Sequence, residues 1–178
     1  MPLTRDDVTL VSLWIHVPLV TSWIGLVFFD VAIMVAPGLE LEQRARLIVW
    51  SRPFVLVAIV LITATGVWQT MDNPYFRVDS YSLLEQLRDR TVYGKALFWK
   101  HAFVLTTFVL TAFVRFGFAP RLAAAAGQPS IGGAGPPAAV TPAAVRRLQR
   151  TVLWLSVANG AACLGSLVFA TRMIWTLH

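Results

Sequence analysis

Long apolar runs, interrupted at a few places by charge, organise the chain. Residues 8–29 contain no Asp, Glu, Lys or Arg, and the apolar pattern continues past Asp30 to Pro37. Residues 53–71 and 151–171 are also uncharged, and the run 96–118 is broken only by Lys100 near one end and Arg115 near the other. A helix needs about 20 apolar residues to cross the hydrocarbon core of a bilayer. Within lipid, each backbone N–H and C=O has to be satisfied inside its own segment, which favours helices over isolated strands. The pattern therefore predicts an all-α, polytopic membrane protein, a single four-helix up-down bundle spanning 1–178. Its helices are expected at about 8–37, 53–71, 96–118 and 142–176.

The connections carry their own signals. Residues 122–145 hold 9 Ala, 4 Gly and 4 Pro with no charge, and Gly132-Gly133-Ala134-Gly135-Pro136-Pro137 would break any helix. We read 122–141 as a flexible linker rather than a fifth span. Thr141-Pro142 has the order of an N-cap followed by proline at the first helical position, so the last helix is expected to begin before Arg146. Ser82-Leu83-Leu84-Glu85 fits a capping box and opens a short segment with Leu83, Leu84 and Leu87 on one side, suited to the membrane surface. Arg5, Asp6 and Asp7 precede the first run and the run is long, so it reads as a retained helix and not a cleaved signal.

Composition sharpens the class. Of 178 residues, 57% are hydrophobic and only 13% charged, with a mean hydropathy of +0.66. A soluble domain carries about 25% charged residues, so a water-exposed enzyme or a nucleic-acid-binding domain is disfavoured despite the net charge of +6. The one cysteine, Cys163, leaves no internal disulfide and no Cys-based zinc or iron–sulfur cluster. One end of the predicted bundle collects eight basic and two acidic residues, and the other seven basic and six acidic. The excess of basic residues on cytoplasmic loops then puts both termini on the outer side, periplasmic for a bacterial inner (cytoplasmic) membrane. Trp14, Trp68, Trp99 and Trp175 fall near that outer end, as in an interfacial belt.

The polar residues inside the spans are the candidates for chemistry, because an ionisable group in a membrane is costly. His16 lies about two turns into the first helix, and His101 at a similar depth in the third, which runs in the same direction. Two histidines on separate helices of a bundle suit a metal ion or a haem iron; otherwise each bonds a backbone carbonyl or faces headgroups. Met71, Met173 and the terminal His178 reach the same level, and His with Met suits copper, especially Cu(I). These three are equally readable as lipid-facing, core or frayed positions. Lys100 either extends outward past Trp99 or turns inward as a proton donor or ligand. Asp30 follows His16 by 14 residues and Arg115 follows His101 by 14. That spacing returns to within roughly 40° of the same helical face, about 21 Å further along, so Asp30 and Arg115 are positioned for an ion pair. Asn159, among Ala158, Gly160, Ala161, Ala162 and Gly165, reads as a packing residue. Cys163 reads as a buried thiol in the same patch. No phosphate-cradling loop, Cys-x-x-Cys motif or Ser-His-Asp order occurs.

Two segments resemble the CopD family of bacterial copper-resistance membrane proteins. His16-Val17-Pro18-Leu19-Val20-Thr21-Ser22-Trp23-Ile24-Gly25 is similar to the family's His, six residues, Trp, then Gly, with the aromatic-rich run that ends in Ala36-Pro37. Tyr93-Gly94-Lys95-Ala96-Leu97-Phe98-Trp99-Lys100 resembles the family's entry to a helix, Ala119-Pro120-Arg121-Leu122 its exit, and Arg146-Arg147-Leu148-Gln149-Arg150 the basic segment before the last helix. His101 and the long linker stand outside the family pattern. A second similarity is to the HemJ type of protoporphyrinogen oxidase, whose His and Lys would correspond to His16 and Lys100. The resemblance to CopD implies copper bound or passed near the outer face, with a periplasmic copper-binding partner. The alternatives are a b-type haem protein in electron transfer or porphyrinogen oxidation, held by His16 with His101 or Lys100, and a non-catalytic subunit of a larger membrane complex. An enzyme is expected only in the haem case, as an oxidoreductase. The lipid bilayer is the expected surrounding, with a homo-oligomer open.

Overall fold

A computed structural model describes residues 5–72, 80–127 and 141–175. Among these residues all regular structure is helical. The elements are α1 (Arg5–Val35), α2 (Leu41–Trp50), α3 (Arg52–Met71), α4 (Tyr81–Arg90), α5 (Val92–Ala112), a π-turn (Phe113–Phe118), α6 (Ala119–Ala126) and α7 (Pro142–Trp175). Four stretches are long and apolar enough to cross a membrane: Asp6–Val35, Leu41–Met71, Val92–Ala126 and Pro142–Trp175.

Helix ends follow local chemistry. α1 stops at Val35 because Ala36 precedes Pro37, and a residue before proline is pushed out of the helical region. Gly38, at φ +83°, makes the reversal that a side chain would resist. Arg44 then reaches back, donating from Nη1 to Met34 O at 2.8 Å and from Nε to Leu39 O at 2.9 Å, so a cation meets the carbonyl end of α1. α2 is a helix where a basic connection was expected. Glu40 and Gln43 form its reciprocal capping box. Ser51 separates it from α3, which carries Pro53 in its first turn, where no N–H is needed.

Two further differences from the sequence reading concern helix ends. The helix at the end of the third span does not stop at Phe118. The π-turn carries it into α6, so 122–126 are helical and Leu122 is buried, and the expected linker can begin only after this point. Residues 128–140 of that expected linker lie outside the described residues. Ser80, two residues before the expected box, caps α4 by accepting from Leu83 N at 3.3 Å. Thr141 does cap α7, accepting from Ala144 N at 3.3 Å.

Packing pairs the start of α1 with the end of α3. Trp68 Nε1 donates to Thr9 Oγ1 at 3.2 Å, Thr9 bonds Asp72, and Gln69 Nε2 donates to Ser12 Oγ at 3.3 Å. The α5–α7 seam is closed by Phe103 and Trp99, both stacked on Phe169. Three buried clusters run along the bundle. Met34, Ile48, Val114, Leu122 and Val152 fill one end, Trp23, Val27, Val55, Ala58 and Cys163 the middle, and Tyr93 and Leu97 the other end. Leu84 and Leu87 of α4 pack on that last cluster, so this short helix covers the end of the bundle. Val57, Val60, Leu105 and Val168 are among many large apolar side chains left exposed, as suits a surface solvated by lipid.

Candidate functional site

His16 and His101 both address α3. His16 Nδ1 lies 2.7 Å from Thr65 Oγ1, and that hydroxyl donates its own proton to Leu61 O at 2.6 Å. Thr65 Oγ1 and His16 Nδ1 are thus hydrogen-bonded partners, with the donor set by the tautomer of the ring. At His101, Nδ1 is 2.8 Å from the carbonyl of Leu97, which can only accept, so this nitrogen donates. His101 Nε2 faces Thr70 Oγ1 at 3.5 Å, while Thr70 donates to Gly66 O at 2.8 Å. At each ring Nδ1 is thus held by a neighbouring oxygen, as one nitrogen of a metal-ligating histidine commonly is.

Both rings reach one stretch of α3. A Cβ on Gly66 would sit 3.4 Å from His16 Cε1, and Thr70, which faces His101, lies one turn further on the same side of α3. The two anchor points are therefore about 6 Å apart along the helix. Met173 packs against Tyr93 and Leu97, one turn from His101. Met71 follows Thr70 and is half-exposed. His178 lies outside the described residues. Among the described residues, no group of three or more His, Cys, Asp or Glu gathers that could hold a metal ion. Any metal bound here would therefore draw on imidazole together with sulfur, amine or a non-protein ligand.

The other polar centre is built on Asp30 and Arg115, both buried. Arg115 Nη2 donates to both carboxylate oxygens, at 2.8 and 2.9 Å; Nη1 donates to Ile48 O at 2.7 Å and also to Ser51 Oγ. Ser51 in turn donates to Ile48 O at 2.9 Å. The π-turn makes this possible. One extra residue per turn alters the backbone pairing around Arg115, and the Arg115 carbonyl is taken by Arg52 Nε at 2.7 Å. Arg52 also lies over the Phe116 ring, 5.3 Å from its centroid. The ion pair suggested by the matched 14-residue spacings is thus present, together with two partners the spacing does not show, Ser51 and the Ile48 carbonyl.

Between the two centres, Asn159 Nδ2 donates to Thr111 Oγ1 at 2.8 Å, joining α7 to α5. Trp23 Nε1, Ser156 Oγ and Asn159 Oδ1 are buried without a hydrogen-bond partner among the described residues. Trp23 meets Phe108 edge to face, with centroids 5.2 Å apart. Thr65, Thr70 and Ser51 are the functional residues that sequence reasoning missed. Hydroxyls are ordinary in membrane helices, where they commonly bond a carbonyl one turn back, so only the position of a histidine across the interface singles them out. No family model matches the chain, and comparisons with curated proteins and with solved structures likewise give no match.

Proposed function

We propose that the chain binds or passes copper through His16 and His101, as a multi-pass protein of a bacterial inner membrane. In this reading the four spans run up and down, both termini lie on the outer side, and the histidines sit near that face. The observation that carries it is the pair of imidazoles from two spans, each held at Nδ1 and both reaching the stretch of α3 from Thr65 to Thr70. Cu(I) takes imidazole and thioether donors at low coordination number, and Met173 and Met71 are the thioethers nearest the pair along their helices. The resemblance of the His16–Gly25 and Tyr93–Lys100 segments to the CopD family points the same way. Copper is cargo here, so the histidines bind and release it and no bond chemistry is required of them.

Detergent-purified protein titrated with Cu(I) against a competing chelator tests this. One copper per chain is expected, with affinity falling at least about tenfold in His16→Ala and in His101→Ala. Absence of stoichiometric copper, or an affinity indifferent to His16→Ala, overturns the proposal. The same two imidazoles also suit the iron of a b-type haem. An absorption spectrum after haem-replete expression decides for that second reading if a Soret band appears and His16→Ala removes it.

A further inference from the structure

α7 begins in water chemistry and ends in lipid chemistry, and the change is abrupt. Arg146, Arg147 and Arg150 precede an uncharged run, 151–171. With Thr151 and Trp154, and with every lining residue on α7 itself, they border an open cleft of about 610 Å³ along the helix surface. Helical geometry puts Arg147, Arg150 and Trp154 within about 60° of one another on one face, with Trp154 about 10 Å further along the axis than Arg147. All three guanidinium-bearing residues are exposed, and so is Trp154, at 68%.

Among the described residues none of the three has an acidic partner. The carboxylates nearest in the chain's layout are committed: Glu42 to Arg46, Asp30 to Arg115, and Glu40 to the cap of α2. The adjoining residues 128–140 contain no charged side chain at all. Three unpaired cations therefore stand at the level where the apolar run starts, above an indole whose apolar ring suits acyl chains and whose N–H suits the ester region.

We infer that this cleft binds the headgroup of an anionic phospholipid, its phosphate held by Arg146, Arg147 and Arg150 and its glycerol ester region lying along Trp154. Guanidinium matches phosphate oxygens with paired N–H donors, which an ammonium cannot reproduce. A bilayer lipid is preferred to a soluble anion because the cleft opens where the lipid-facing surface of α7 begins.

Native mass spectrometry of the full chain in detergent, titrated with phosphatidylglycerol or phosphatidylcholine, tests the inference. Phosphatidylglycerol is expected to be retained in preference, and the preference should fall as salt rises. Removing guanidinium charge in the combined variant Arg146→Gln, Arg147→Gln, Arg150→Gln should weaken phosphatidylglycerol binding roughly fivefold for each charge lost, about 1 kcal/mol apiece. The corresponding triple Arg→Lys variant should keep the preference for phosphatidylglycerol with reduced affinity, since charge remains but the fork is lost. Equal retention of the two lipids, or phosphatidylglycerol binding that ignores salt in the wild-type chain, overturns the inference. Inorganic phosphate that displaces the lipid completely would mark a soluble-anion site and overturn it equally.

Discussion

Replacing Asp30 with leucine strands the Arg115 guanidinium in the interior of the bundle. Arg115 is 0% exposed, and two of its four hydrogen bonds go to Asp30. Each bond to a charged group contributes about 1.5–3 kcal/mol, and removing one partner of a buried ion pair costs about 3–5 kcal/mol. Asp30→Leu should therefore lose stability within that range. Arg115→Met should cost less, because a stranded carboxyl escapes by taking a proton, whereas a guanidinium cannot shed one. The double variant should recover most of the loss. Ile48 O, which Arg115 also serves, keeps its bond from Ser51, so removing both charges leaves no bare carbonyl there. Reversible unfolding in mixed micelles, read by tryptophan fluorescence across the four-member cycle, gives the coupling energy. A value above about 2 kcal/mol is expected. A coupling below about 0.5 kcal/mol, with Asp30→Leu as stable as the wild-type chain, would refute the reasoning.

Other substitutions test the remaining parts of the structure. Thr65→Val removes the hydroxyl that holds His16 Nδ1, so Cu(I) affinity should drop about 10–100-fold while stability changes little; competition titration with a chelator checks it. Gly94→Ala drives a Cβ into the Leu87 carbonyl, which displacement of α4 would have to relieve. Faster proteolysis within 81–90 is the expected outcome, and Gly25→Ala, with nothing within 4 Å, is its control. Gly165→Ala meets the Phe103 ring at 2.7 Å and should destabilise the α5–α7 seam by about 1–3 kcal/mol. Adding Phe103→Leu should restore part of that loss in the same micelle unfolding assay.

Apolar run length made the four spans legible, since the bilayer imposes one length on every crossing segment. Asp30 and Arg115 were also legible, because α1 stays regular from His16 to Asp30 and α5 from His101 to Ala112, so 14 residues bring each back to nearly the same face. Past Phe113 that regularity fails. The π-turn has no local sequence mark distinct from an α-helix, so the continuation through Ala126 was hidden behind Gly117 and Pro120, residues that ordinarily punctuate. α2 was legible in principle through Glu40 and Gln43, spaced as a capping box, but its charged face resembled a connection. The caps divided similarly: Thr141-Pro142 is a local signal and held, while Ser80 won over Ser82 because extended backbone at residue 80 frees its hydroxyl to meet Leu83 N. The tautomers of His16 and His101 depend on hydroxyls and carbonyls contributed by folding, which no reading of spacing supplies.

The wide turn at Phe113–Phe118 sets the phase of all that follows it in the third crossing. Winding the same six residues at the ordinary α pitch would turn the following helix by about 100°. Leu122 and Ala119, now fully enclosed, would then swing toward the acyl chains, and Arg121 would swing in behind them. The extra residue thus acts as a rotational offset, letting one continuous rod show a cation inward at its waist and a methyl-lined flank inward at its tip.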